Sequence, residues 1–282
     1  MTATIADHLA KLAKHDAKKN MSWDPARGAL RVETPQALIQ AVGYLKYARR
    51  QEGIVLFRGQ NRLYDSMRPA LYRGLKREQA RQAREKELQQ YVEQVRAKGA
   101  FLENTPEYAH EAILQHYGIW TRWLDLVDNA WSALWFACHD AFVTGHRNQY
   151  LHYEPSRAPS AYILVLQAGP EALDPARPGL MTTGKAELLD LRRAAPSNYL
   201  RPHAQHAYLA RSTGADMEMA SWVIGIIEVH MHQAREWIIR GPLSDTRFFF
   251  PSPYYDGGYE KLLKLAPESD HRMLGSLHHV GA

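Results

Sequence analysis

The pattern of this chain changes at Ser160, and that change bounds its fold. Beyond it, Ala161-Tyr162-Ile163-Leu164-Val165-Leu166 and Trp222-Val223-Ile224-Gly225-Ile226-Ile227-Glu228-Val229 are apolar, β-branched runs that read as strands. Before it, apolar residues recur mostly at helical spacing. Repeats and low-complexity tracts are absent. Helices gathered early and strands gathered late predict an α+β protein, a helix-rich N-terminal half packed on a mixed sheet, rather than a regular βαβ alternation.

Near the start, Ile5, Leu9, Leu12 and Ala13 are interspersed with His8, Lys11, Lys14, His15, Lys18 and Lys19, a basic amphipathic helix expected to pack on the body as a lid or arm. Leu30 to Glu33 reads as a short strand. Thr34 and Pro35 supply the N-cap and first-turn proline of a helix to about Arg49, which delivers the chain to a buried strand at Ile54 to Phe57. Lys76 to Lys98 is a charged helix with Leu88, Tyr91, Val92 and Val95 inward. Its arginines are mixed with Glu78, Glu85, Glu87 and Glu93, as on a solvated face.

Thr105-Pro106-Glu107 starts a further helix that should stop near Gly118, which places Gln115, His116 and Tyr117 on its last turn. Asp128 is the expected cap of the next helix, which runs through Trp131, Leu134, Trp135 and Cys138 to about Phe142. Thr121 to Asp125 is then a loop between two helix ends. Three parts are expected: residues 1–52 as a helical arm and lead-in, 53–266 as the main domain, and 267–282 as a loose tail.

With 45% apolar and 23% charged residues, the chain can bury a sizeable core. A formal charge of +5 favours contact with anions such as nucleic acid, phosphorylated cofactors or acidic proteins. One cysteine excludes an intramolecular disulfide. Without a signal-like apolar segment near Met1 or an 18-residue apolar run, the expected compartment is the cytoplasm, with no membrane contact.

Two segments concentrate chemistry. Gln115-His116-Tyr117-Gly118-Ile119-Trp120-Thr121-Arg122-Trp123-Leu124-Asp125 gathers polar groups between two helices, where they either line a site or pair internally as buried polar groups must. Upstream, Ile54-Val55-Leu56-Phe57 leads into Arg58-Gly59-Gln60 and then Arg68-Pro69-Ala70-Leu71-Tyr72-Arg73. A strand-end guanidinium is a rigid fork suited to phosphate or carboxylate, and Gly59 beside it allows a ligand near the backbone; the alternative is a structural ion pair with Asp125. His230-Met231-His232 would set two imidazoles on one strand face without further ligands at a recognisable spacing, so no metal site is expected. Cys138 reads as a buried thiol, and Trp131 and Trp135 as core. P-loop and Rossmann glycine patterns are missing.

Together the two segments resemble the FRG-domain family, named for the Phe-Arg-Gly that stands here as Phe57-Arg58-Gly59. Supporting matches are Arg201 and Gln205 in Arg201-Pro202-His203-Ala204-Gln205, and Phe249-Phe250-Pro251 followed by Asp256-Gly257. More distantly, the first motif is similar to the aromatic-Arg-Gly on the first strand of arginine-class ADP-ribosyltransferases. The Thr121 loop with its following helix resembles that superfamily's nicotinamide element. This likeness implies an ADP-ribosyltransferase-like core and NAD as substrate, with Arg58, Gly59, Gln60, Tyr117, Thr121, Arg122 and Arg201 as NAD-binding candidates. Ser-Thr-Ser and Gln-x-Glu are absent, and the one Glu-x-Glu, Glu85-Lys86-Glu87, comes too early, so the polarising role falls to Gln205, Asp125 or Glu228.

His116 can serve as general base, and Tyr117 or Trp123 can stack on the nicotinamide. The resemblance implies a bacterial toxin or phage-defence effector, acting on a protein or nucleic-acid acceptor and restrained by an antitoxin or operon partner. Two other readings stand beside it: a non-catalytic nucleotide or nucleic-acid binding module, and a metal-dependent nuclease or phosphodiesterase using Asp125, Asp256 and nearby histidines.

Overall fold

A capping box opens the first helix: Asp7 N donates to Thr4 Oγ1, and Thr4 N donates back to the Asp7 carboxylate. The computed structural model describes residues 4–145, 149–214, 218–239, 245–270 and 272–280. Helix α1 (Ile5–His15) is followed by strands β1 (Met21–Asp24) and β2 (Ala29–Val32) and by helix α2 (Pro35–Ala48). Then come β3 (Leu56–Gln60), α3 (Glu78–Ala97), α4 (Glu107–His116), β4 (Leu124–Val127) and α5 (Ala130–Ala137). The strands β5 (His139–Thr144), β6 (Gln149–Pro155), β7 (Ser160–Leu166), β8 (Ala172–Leu173), β9 (Leu180–Thr182) and β10 (Ala186–Asp190) follow. The chain continues through α6 (Leu191–Ala194), α7 (Leu200–Ala204), β11 (Ala207–Ser212) and β12 (Val223–His230). It closes with α8 (Met231–Ile239), α9 (Thr246–Phe249), α10 (Gly257–Leu265) and β13 (His278–Val280).

The protein is α+β with a large mixed sheet. Its strand order is β1-β2-β12-β7-β3-β4-β11-β10-β9-β8, with β2 and β12 parallel and the other neighbours antiparallel. Side chains alternate between its faces. Phe57, Val127, Ile163, Val165 and Ile227 share a core with α2, α5 and α8, while Leu209, Leu189 and Ala207 meet α3 and α4. Leu56, Leu124, Leu126 and Leu164 pack on the other face with Met67, Met219 and Trp222.

Several elements form where the sequence predicts them. Thr34 Oγ1 accepts from Ala37 N and Pro35 follows, so α2 starts there. Leu88, Tyr91 and Val95 are the buried stripe of α3. Gly118, past the end of α4, has φ of +119°, which an L side chain rarely adopts. Cys138 is buried, and burial pushes its thiol up to about 12. The basic α1 packs on the body with Leu9 fully buried, part of the same core as Phe57.

Other expectations are corrected. The cap of α5 is Asn129, whose side chain accepts from Trp131 N, because Asp128 is engaged by Arg192 and His206. That helix stops at Ala137, and His139–Thr144 is a strand paired with β6. Thr121 to Asp125 is not wholly a loop, since β4 begins at Leu124. His230 ends β12 and Met231 begins α8, so the two imidazoles do not share a strand face. The described part of the final segment is not loose: Leu274 and Ser276 are buried, and His278–Val280 pairs in parallel with β6.

The sheet opens beside β3. That strand pairs with β7 at five positions, from Leu56 opposite Leu166 to Gln60 opposite Tyr162, yet pairs with β4 only at Phe57 opposite Val127. Meanwhile β4 stays paired with β11 from Val127 to Leu124. Arg58 to Gln60 and Leu124 to Asp125 therefore border a break in the ladder, with their backbone groups free of each other.

Candidate functional site

Arg58 fills part of this break. By alternation its side chain belongs to the face of Leu56, and Asp125 to the face of Phe57 and Val127. Where the ladder parts, Arg58 Nη1 reaches across and donates to the Asp125 carbonyl at 2.6 Å. Its Nε is buried without an acceptor among the described residues. Burial lowers the guanidinium pKa from its ordinary value, and the Asp125 carboxylate partly offsets this. Arg58 lies mid-strand rather than at a strand end, because β3 continues to Gln60.

Gly59 is needed for packing. A Cβ there would sit 1.7 Å from the Ala133 carbonyl oxygen, so the close approach it permits is that of α5 rather than of a ligand. Gln60 ends the strand opposite Tyr162. Next to it, Asn61 donates to Asp140 and to Ser156 Oγ, which ties the end of β3 to β5.

On the other side of the break are His116, Asp125 and Gln205. Gln205 Nε2 donates to the Phe249 carbonyl at 2.8 Å, which turns Oε1 toward His116 Nδ1 at 3.2 Å. An amide oxygen only accepts, so Nδ1 carries the proton and Nε2 presents a lone pair. That Nε2 is buried without a hydrogen-bond partner among the described residues and lies 3.9 Å from Asp125 Oδ1. The His116 side chain is 5% exposed and that of Asp125 52%. Burial lowers the imidazole pKa, with Asp125 opposing the shift, which favours the neutral ring. Two acceptors thus face one another at the mouth, an arrangement that a shared hydroxyl donor would relieve.

The remaining candidates are otherwise engaged. Arg201 is 1% exposed; its Nη1 donates to the His116 carbonyl at 3.0 Å, and its guanidinium lies over the rings of Tyr117 and Tyr259. It therefore steadies the backbone at His116 and has no face open to NAD. Tyr117 is fully buried, stacks on Tyr259 and donates to Asp256 Oδ2 at 2.6 Å. It is core rather than a nicotinamide wall, and its burial beside Asp256 raises the phenol pKa far above the ordinary value. Trp123 is also core, with Arg211 over its ring. Thr121 donates to Gln115 Oε1 and accepts from Trp123 N, closing the turn into β4.

Arg122 is held by Glu111: Nε meets Oε1 and Oε2 at 3.2 and 3.1 Å, and Nη2 meets Oε2 at 2.5 Å. Glu228 is bound by Ser160 and Arg31, one strand beyond β7, and so lies away from the break. Asp256, a metal-ligand candidate, is fully buried, caps α10 and accepts from Tyr117 and Leu200. Among the described residues no three His, Cys, Asp or Glu side chains converge to hold a metal ion, and no helix is long and apolar enough to cross a membrane.

Sequence reasoning missed Glu111, whose pairing with Arg122 spans two elements without a spacing signal. It also missed Tyr153, which stacks on Phe250 at 4.5 Å, with its hydroxyl pKa raised by burial and by the Asp125 charge. Its ring packs between Phe250 and Trp135.

Residues 53–144 match the FRG domain. No curated protein and no solved structure matches the chain. The matched stretch carries Arg58, His116 and Asp125, whereas Arg201 and Gln205 lie beyond it. The break between β3 and β4 falls within the stretch that matches the FRG domain.

Proposed function

We propose that the protein binds NAD at the break between β3 and β4 and transfers or hydrolyses its ADP-ribose, as a bacterial toxin or phage-defence effector would. One observation carries the reading: a guanidinium whose hydrogen-bond partner among the described residues is a backbone carbonyl stands across the break from two facing acceptors, His116 Nε2 and Asp125 Oδ1. NAD fits this donor and acceptor set, since its diphosphate needs a cation and its ribose hydroxyls need acceptors.

In this reading Arg58 holds the diphosphate through its buried, unpaired Nε edge. Asp125 accepts from a ribose hydroxyl and favours positive charge developing at the sugar. NAD supplies the labile nicotinamide–ribose bond, whose electron pair leaves with nicotinamide. His116 Nε2 takes the proton of the attacking group, whether water or an acceptor side chain, and Gln205 keeps that nitrogen unprotonated beforehand.

Calorimetry with NAD tests the binding step. Arg58→Ala is expected to lose measurable affinity while keeping its melting temperature within a few degrees. Equal affinity in the two proteins would remove Arg58 from the site.

A second reading, a nucleotide-binding module without chemistry, is favoured by the engagement of Glu228 in an ion pair one strand beyond β7 and of Glu111 in one with Arg122. It predicts NAD or nucleotide binding with no nicotinamide release.

A further inference from the structure

Four strands end the two sheets: β1 and β8 close the large one, and β13 and β5 close a three-stranded sheet of order β13-β6-β5. An open edge presents a row of unpaired backbone groups, so folds keep edges short or place charges and proline on them. Strand β8 has two residues, β13 three, and β1 four, ending on Asp24. Strand β5 is different. It runs for six residues, His139-Asp140-Ala141-Phe142-Val143-Thr144, without lysine, arginine or proline, and it pairs with β6 at all six without a bulge. Among the described residues no strand pairs with its other side. Its last four residues are exposed, Phe142 at 47% and Val143 at 46%.

The register tells which backbone groups are free. Ser156 N donates to the Cys138 carbonyl, one step before His139 opposite Pro155. Bonded pairs alternate along an antiparallel ladder, so Asp140, Phe142 and Thr144 bond β6, while Ala141 and Val143 turn their N–H and C=O groups outward. Side chains alternate as well: Phe142 shares a face with Tyr150, itself 42% exposed, and Val143 shares the opposite face with Leu151. These positions complement themselves. When a second β5 runs antiparallel with Phe142 opposite Phe142, Ala141 faces Val143 on both sides of the axis, and each outward N–H meets an outward carbonyl. The two Phe142 residues then form the non-bonded pair, where Cα atoms approach to about 4.5 Å and aromatic side chains interact. Asp140 faces Thr144 rather than its own copy, so no like charges are opposed. A two-fold contact needs one patch that matches itself, and this strand supplies it.

We propose that β5 is a self-association edge: two copies of this chain pair antiparallel through Ala141, Phe142 and Val143, joining two three-stranded sheets into one continuous sheet. The contact is independent of the NAD reading.

Analytical ultracentrifugation of the full chain over a concentration series, with cysteine cross-linking beside it, tests this. The wild type should form a reversible dimer. Val143→Pro removes an outward N–H that β6 does not use, and Phe142→Lys opposes two like charges at the axis; each should weaken the dimer by about tenfold or more. Phe142→Cys should cross-link to dimer under mild oxidation, because the non-bonded pair brings the two Cα atoms within disulfide range, and buried Cys138 does not compete. Tyr47→Cys, equally exposed but on α2, should stay monomeric on oxidation. If Val143→Pro fails to fold, Phe142→Lys and the cross-link decide, since the Phe142 side chain is exposed. A wild type that is monomeric at every concentration overturns the proposal and leaves the edge to a strand from another protein. A dimer that folded Phe142→Lys leaves intact, or cross-linking of Tyr47→Cys as readily as of Phe142→Cys, overturns it as well.

Discussion

His116 Nε2 lies 3.9 Å from Asp125 Oδ1, and with the imidazole proton on Nδ1 both atoms are acceptors. Replacing His116 with alanine should lower nicotinamide release by about a hundredfold or more, the range of a general base, while leaving NAD affinity within a few-fold. Steady-state kinetics beside calorimetry separates the two effects. Equal loss of both would make His116 a packing residue.

Gln205 acts through His116. Gln205→Leu removes the acceptor of the Nδ1 proton and also the donor to the Phe249 carbonyl, whereas Gln205→Glu keeps an acceptor facing Nδ1. The leucine variant should lose turnover, and the glutamate variant should retain more of it with its acid limb moved to higher pH, because a carboxylate stabilises the imidazolium. Identical pH profiles in the two variants would contradict this role.

Stability should depend on pH through buried imidazoles. Burial lowers the pKa of His110, His116 and His139 below the ordinary 6.5. The unfolded chain then binds protons near pH 6.5 that the folded chain refuses, so stability is full above about 6.5 and is lost as pH falls toward the folded values. Melting temperature measured from pH 8 to 5 should fall on the acid side, less steeply in His116→Gln. A flat profile would mean that these imidazoles are solvated.

The expectations that held were local. Thr34 with Pro35, the Leu88, Tyr91 and Val95 stripe, and Gly118 depend on neighbours within a turn or two, and spacing reports them. The arrangement of the site was less legible because its contacts join distant positions. Gln205 meets His116 across 89 residues, and Tyr117 meets Asp256 across 139. Arg201 was an NAD-binding candidate through the family resemblance alone; three rings and the His116 carbonyl surround it instead. Gly59 invited a ligand reading because a missing Cβ signals close approach but not what approaches.

Gly59→Ala tests that packing claim. The added methyl would collide with the Ala133 carbonyl and force α5 away from β3, costing about 1–3 kcal/mol or more. Chemical denaturation should show this loss with or without NAD. Wild-type stability would mean that α5 does not rest on Gly59.

Glu111→Ala would leave the Arg122 fork and the Arg122 amide without their acceptor. A loss of about 1.5–3 kcal/mol is expected, toward the lower end because Arg122 is partly exposed to water. Denaturation of Glu111→Ala and Glu111→Gln, the latter milder, measures it.

The most direct test of the account is nicotinamide release from NAD by the purified full chain, followed by chromatography for wild type, Arg58→Ala and Asp125→Asn, with and without cell lysate. The account predicts release by the wild type that is lost in Arg58→Ala and strongly reduced in Asp125→Asn, all three proteins being folded. Release that is undetectable in the folded wild type under every condition, or undiminished in Arg58→Ala, would contradict it.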